Sequence, residues 1–235
     1  MNLVIMQPYL FPYIGYFQLL AAADRFVVYD DVQFIKGGWI NRNRILVNSQ
    51  PWLFTVPLDQ PSPNRLIGDI ELRPAGQWQP KLLQTITQNY RHAPHFDEVF
   101  DLIQQIFAPE ARTIADLVRI SLSKIVEYLQ LSVQIVPSSA IYGNTQLKSQ
   151  ERVLDICRLE GADYYINATG GRTLYNGEVF KENGIDLRFI HPKIIAYPQQ
   201  NKNKDFVAGL SIVDVLMNNS VPEMKQLLSA YSLAS

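Results

Sequence analysis

The sequence predicts an α/β protein built on a parallel, doubly wound sheet, and three observations carry that expectation. Apolar strand patterns alternate with helical ones at both ends of the chain, which is the signature of parallel crossovers. The first crossover, "LVIM", "YIGYFQLLAAA" and "RFVVY", completes strand, helix and strand within residues 3–29. Such units are almost always right-handed and parallel. The unusual polar residues and glycines fall in segments that follow strands, where open parallel sheets bind ligands.

Residues 3–6 read as a short buried strand. Helical spacing follows, with Phe17, Leu20 and Ala21 on one stripe. Before it, Pro12 pre-sets a turn, and Gly15 removes a side chain where a backbone or ligand must come close. Phe26–Tyr29 form the second strand, ended by Asp30-Asp31. In "RNRILVNSQPWLFTVPLD" two alternating segments flank the turn chemistry of "NSQP", which predicts a β-hairpin. "IGDIELR" is expected to add another strand.

A helical insertion is predicted over about residues 77–131. "QPKLLQTITQNYRHA" and "HFDEVFDLIQQIFA", the latter ending at Ala108, are separated at Ala93-Pro94. "TIADLVRISLSKIVEYLQL" is amphipathic, with Ile114, Leu117, Val118, Ser121, Ile125 and Leu129 on one face. "SVQIVPSSA" returns to strand. "SQERVLDICRLEGA" is a helix with Ser149 as its N-cap candidate and Gly161 as its stop. "DYYIN" and "IDLRFI" are strands around the helix "GEVFKENG". "LSIVDVLMNN" and "VPEMKQLLSAYSL" close the chain as helices. The expectation is one domain over residues 1–235, with about five parallel strands.

Composition bounds the function. An apolar fraction of 47% and a charged fraction of 18% describe an ordinary globular chain. A net charge of −1 gives no electrostatic case for nucleic acid or an anionic membrane. No stretch approaches the roughly 18 apolar residues that span a bilayer, so no membrane insertion is expected. No basic n-region with a long apolar run is visible, and the expected location is cytoplasmic. The lone Cys157 suits a reducing compartment and reads as a small buried residue.

The candidate site gathers residues that follow strands. Gln7 and Tyr9 follow the first strand; Asp30, Asp31 and Lys36 follow the second. Asn167, Gly170, Gly171, Arg172 and Tyr175 follow "DYYI", and His191 follows "LRFI". The helix start at Tyr13–Tyr16 leaves free N–H groups, a natural seat for phosphate or carboxylate. In "DDVQFIKGGWINRNRI" the paired carboxylates can position an amine, cap a turn or bind a divalent ion. Lys36, Arg42 and Arg44 can meet phosphates, Trp39 can stack on a base or sugar face, and Asn41 flanks Arg42. The Gly-Gly turn of "NATGGRTLY" can form an anion-binding concavity beside Arg172. No histidine pair has helical metal-ligand spacing, so no metal is assigned. No G-x-S-x-G is present and Cys157 lies mid-helix, so no nucleophilic triad is read.

Two resemblances enter on these residues. The turn after the first strand resembles that of nucleotidylyltransferase folds, whose His-x-Gly-His contacts nucleotide phosphate; here the matching place holds Tyr13-Ile14-Gly15-Tyr16. Tyrosine donates a hydrogen bond but carries no charge, so the departure removes the cationic part of that chemistry. Over nearly its full length the chain resembles the WbqC-like family, through "QPYLFPYIGYFQLLAAADRFVVYDDVQFIKGGWINRNRI", "SQERVLDICRLEGADYYINATGGRTLY", "HPKIIAYPQ" and "LSIVDVLMNN".

That resemblance implies a place in O-antigen and surface-polysaccharide synthesis, with transfer of an acyl or aminoacyl group, such as glycine, to an amino sugar or sugar nucleotide. Its recurring positions include Gln7, Tyr9, Gly15, Tyr16, Asp30, Lys36, Asn41, Arg42, Gly170, Gly171, Tyr175, His191 and Gln199. The roles expected are Asp30, His191 and Lys36 in catalysis. ATP is the candidate cofactor, at Gln7, Tyr9, Tyr13, Gly15, Tyr16 and Gly170–Arg172. Asp31, Trp39, Asn41, Arg42, Asn167, Tyr175 and Gln199 would hold the substrate. The alternatives are a non-catalytic carbohydrate- or nucleotide-sugar-binding module, and a nucleotidylyltransferase.

Overall fold

The computed structural model describes residues 1–107, 111–201 and 205–235. Its centre is a six-stranded sheet of β1 (Asn2–Met6), β2 (Arg25–Val28), β5 (Gln134–Val136), β6 (Tyr164–Ala168), β7 (Asp186–Pro192) and β8 (Tyr231–Ala234), in the order β5-β2-β1-β6-β7-β8. The first five strands run parallel, as expected, with Leu3 opposite Arg25 and Tyr165. β8 closes the edge antiparallel to β7, pairing Ser232 with His191. The expected C-terminal helix therefore stops early. α8 (Val221–Leu228) ends at Ser229, and "YSLA" alternates along the edge of the sheet.

β1 shows why the sheet lies in the middle: Leu3, Val4 and Ile5 are all buried, the continuous apolar run of a strand covered on both faces. One face packs α1 (Ile14–Ala22), α7 (Ile212–Asn218) and α8, together with α2 (Gln79–Tyr90), α3 (Phe96–Ile106) and α4 (Ile114–Tyr128). The other packs α5 (Ser149–Glu160) and α6 (Gly177–Glu182). α1 is buried nearly all round, and only Ala21, expected on its inner stripe, is exposed. A helix enclosed on several sides needs no amphipathic face. Its buried Gln18 donates to the carbonyls of Leu227, at 2.8 Å, and Ala230, at 3.0 Å, tying α1 to the end of α8.

The hairpin forms a separate sheet of β3 (Arg42–Val47) and β4 (Gln50–Thr55). Asn48 and Ser49 both have positive φ, at 51° and 64°, the twist that a two-residue hairpin turn needs. "IGDIELR" does not form a strand. It makes a single 3₁₀ turn, Ile67–Asp69, because its buried residues Ile67 and Ile70 are spaced by three rather than two. α4 buries five residues of its expected face, with the sixth, Leu129, buried as its C-cap, and starts with a reciprocal Thr113–Asp116 capping box. The expected end of α3 at Ala108 lies outside the described residues. α5 ends at Gly161 with φ 66°, but Ser149 is its first residue rather than its cap: Lys148 holds the cap position without a side-chain bond.

β1 leads through α1 to β2 on one side, while β6 leads through α6 to β7 on the other. The winding reverses between β1 and β6. A crevice therefore opens at their carboxyl ends, the place where doubly wound sheets bind ligands.

Candidate functional site

A cavity of about 690 Å³ occupies that crevice, a size suited to a small-molecule ligand. Met6, Gln7, Tyr9, Tyr13 and Tyr16 line it from the end of β1 into α1, and Tyr29 from the end of β2. Asn167, Gly170, Gly171 and Tyr175 close it after β6, and Ser149 and Gln150 from the start of α5. Among the described residues, the lining contains five tyrosines and three side-chain amides, and no charged or imidazole group.

Local structure fixes these groups. The Tyr16 hydroxyl donates to the Gln7 carbonyl at 2.8 Å, and its ring leans on Tyr9 with centroids 5.6 Å apart. The Gln7 side-chain carbonyl Oε1 is buried and has no hydrogen-bond partner among the described residues, which leaves an acceptor for a ligand donor. Tyr13 folds across the first turn of α1. A Cβ at Gly15 would lie 2.6 Å from Tyr13 Cζ and 2.7 Å from its hydroxyl, so any side chain there would displace the tyrosine ring. Asn167 donates to the Tyr165 hydroxyl at 2.7 Å and accepts from the Ala168 amide at 2.6 Å. A Cβ at Gly171 would approach Asn167 Oδ1 to 3.0 Å, so the loop can press on that amide only as glycine. Gln150 accepts from the Asn176 amide at 2.5 Å, joining the start of α5 to the loop before α6. Ser149, in the lining, holds a positive φ of 48°, and strain of this kind gathers at ligand clamps. Burial raises the Tyr9, Tyr13, Tyr16, Tyr29 and Tyr175 hydroxyls above the usual phenol range. All five are neutral donors near neutral pH.

The structure brings Gln7, Tyr9, Tyr13, Tyr16, Asn167, Gly170, Gly171 and Tyr175 into this lining, with Gly15 beneath Tyr13. The remaining candidates lie elsewhere. Asp30 accepts from Ser138 Oγ at 2.7 Å and the Ser139 amide at 3.2 Å, and burial raises its carboxyl above the ordinary range. Asp31 is ion-paired with Arg152, with side chains only 8% and 5% exposed. Lys36 is exposed, beside Ile35, which reaches the lining. Asn41 donates to the Val56 carbonyl at 2.8 Å. Arg42 holds the carbonyls of Gly38, at 2.8 Å, and Gly37. Arg172 turns from the cavity toward the sheet edge: its Nη2 donates to the Ser235 carbonyl at 3.2 Å, lies 3.4 Å from His191 Nε2, and the guanidinium covers Phe189. Gln199 is engaged internally, donating to Val207 O at 3.0 Å and Asp214 Oδ2 at 3.1 Å.

Sequence reasoning missed Tyr29, Ser149 and Gln150 as lining, because each sits at an element end read for its secondary structure alone. It also missed Arg152 and the buried Asp214, which accepts from the Tyr90 and Tyr197 hydroxyls at 2.7 Å each. A larger groove of about 1020 Å³ runs along α6 from Asp163 and Asp186, at the amino ends of β6 and β7, to Tyr175 and Phe189. Parallel sheets do not place ligands at their amino ends, so the switch-point cavity is the better candidate.

A model of the WbqC-like protein family matches residues 7–226. The chain belongs to the WbqC-like protein family. An uncharacterized protein of Mycobacterium tuberculosis (strain ATCC 25618 / H37Rv), Rv1507c, is 29% identical to this WbqC-like chain over 222 residues, covering 92% of it and 93% of the mycobacterial protein. No solved structure gives a significant match. Among the described residues, no helix is long and apolar enough to cross a membrane.

Proposed function

We propose that this WbqC-like protein binds an amino sugar, or the sugar unit of a sugar nucleotide, in the switch-point cavity. The lining carries the reading: among the described residues, five tyrosines and three amides face one cavity with no charged side chain. Aromatic faces cover the C–H surface of a pyranose, while amides and neutral phenols bond its hydroxyl and amide groups. The unpartnered Gln7 Oε1 supplies an acceptor for one ligand O–H or N–H.

The chemistry we attach to this binding is transfer of an acyl or aminoacyl group, such as glycine, to the sugar amine, in cytoplasmic O-antigen or surface-polysaccharide synthesis. In that step the sugar nitrogen attacks the carbonyl carbon of an activated donor such as an acyl phosphate, the C–O bond breaks with its electron pair leaving on the phosphate, and the amine proton passes to water. The lining itself supplies no cation for the triphosphate of ATP, and Arg172 faces away from it. A second reading, a non-catalytic sugar-binding module, is favoured by the lack of any carboxylate or imidazole in the lining. Both readings predict binding of N-acetylglucosamine or its UDP-linked form, weakened about tenfold or more by Gln7→Ala; equal binding by the variant, or no binding by wild type, removes the sugar site. Amide product formed from glycine, ATP and glucosamine would select the transferase over the module.

A further inference from the structure

A second, smaller recess of about 180 Å³ shares Tyr9 and Tyr13 with the cavity and is closed on its far side by Trp39, Asn43, Arg44 and Gly209. It is too small for a whole ligand but large enough for one group of a ligand seated across Tyr9 and Tyr13. Its chemistry is opposite to that of the cavity. Arg42 and Arg44, two apart on β3, share one face of the strand. Their guanidinium carbons lie 5.8 Å and 5.6 Å from the Trp39 ring centre. Among the described residues neither has an acidic partner.

The two arginines differ in what holds them. Arg42 is anchored to the Gly37 and Gly38 carbonyls and so braces the loop that carries Trp39. Among the described residues Arg44 makes one long side-chain bond, from Nη2 to the Gly209 carbonyl at 3.4 Å, and its buried Nε meets no acceptor. Gly209 holds a positive φ of 69°, which favours glycine, and a Cβ there would make only an ordinary contact with the guanidinium, at 3.6 Å. The surrounding backbone is fixed. The Ser211 amide donates to the Arg44 carbonyl at 2.8 Å, and Asn43 Nδ2 donates to the Phe11 carbonyl at 2.8 Å. A guanidinium has five donors, and one so poorly bonded in a rigid frame is prepared for a planar, two-pronged acceptor.

We infer that Arg44, backed by Trp39, forms an oxyanion subsite beside the sugar cavity, taking the diphosphate of a sugar nucleotide or the carboxylate of an acyl donor. As a subsite it rests on the sugar-site reading, because Tyr9 and Tyr13 would then separate the neutral and the anionic parts of one bound molecule. It also transfers to Arg44 the anion-binding role that the sequence offers equally to Arg42 and Arg172.

The test is calorimetric titration of wild type, Arg44→Met and Arg44→Lys with inorganic pyrophosphate, glycine, N-acetylglucosamine and UDP-N-acetylglucosamine. Arg44→Met is expected to lose at least tenfold in affinity for UDP-N-acetylglucosamine and pyrophosphate, while N-acetylglucosamine stays within twofold. Arg44→Lys keeps the charge and stem without the fork, and should recover only part of the loss. If Arg44→Met does not fold, the lysine variant alone decides by the same comparison. Loss confined to glycine, with pyrophosphate not bound by wild type, would assign the subsite to a carboxylate. Pyrophosphate binding that depends on Arg44, without N-acetylglucosamine binding, would keep the anion site and remove the sugar reading. Affinities for all anionic probes unchanged in the variants, or no anionic probe bound by wild type, would overturn the proposal.

Discussion

Gly15→Ala tests how the opening turn shapes the site. The new Cβ would lie 2.6 Å from Tyr13 Cζ, whereas carbon atoms settle near 3.5–4.0 Å, so the ring must move by at least about 0.9 Å. It can do so, because Tyr13 is 38% exposed and only its far end is touched. The cost in stability should be small: alanine gains up to about 1 kcal/mol of helix propensity over glycine, which offsets the looser packing of the displaced ring. Tyr13 walls both the cavity and the Arg44 recess. Its displacement should therefore weaken UDP-N-acetylglucosamine by about tenfold, or about 1.4 kcal/mol. Urea unfolding and calorimetric titration measure the two effects separately. In a Tyr13→Ala background, Gly15→Ala should add nothing to the loss of affinity. Destabilisation above about 2 kcal/mol with unchanged affinity would make Gly15 a packing residue and deny Tyr13 a place in the site.

Arg152→Met leaves the buried Asp31 without its cation, and should cost about 3–5 kcal/mol in urea unfolding; replacing both partners by apolar residues should recover most of it. Burial raises the Asp214 carboxyl above its ordinary value of 3.8, despite bonds from Tyr90, Tyr197 and Gln199 that pull it down. The folded state then holds this proton more tightly than the unfolded one, so its contribution to stability falls as pH rises from about 3.8 through the raised value; carbon-13 NMR titration at or below 3.8 would contradict this. The Cys157 thiol, fully buried and pushed up to about 12, should resist thiol reagents at neutral pH in the native protein and react only on unfolding.

Much of the sheet was legible because its signals are local. The first crossover, the hairpin around Asn48-Ser49 and the buried face of α4 are each written within a few turns of chain. β8 was not, because "YSLA" continues an apolar helix and becomes a strand only where β7 offers an edge. The cavity was partly legible: polar loops after β1 and β6 point to a switch point, and the family resemblance selects the same loops. Several charged candidates are engaged by partners elsewhere in the fold. Asp31 meets Arg152 across 121 positions of sequence, and Tyr90 meets Asp214 across 124. Nothing local distinguishes such buried partners from free catalytic groups. Arg42, Arg44 and Arg172 look alike in sequence, and only their hydrogen bonds separate the two held by backbone carbonyls from the one left under-bonded.

Whether a sugar ligand sits at the switch point can be read from amide proton–nitrogen correlation spectra of the isotope-labelled protein, recorded during titration with UDP-N-acetylglucosamine. Saturable shifts are expected to concentrate at Gln7, Tyr9, Gln150, Gly170 and Gly171, the backbone around the cavity. Shifts confined to the groove around Lys181 and Asp186, or no shifts at millimolar ligand, would contradict a sugar site there.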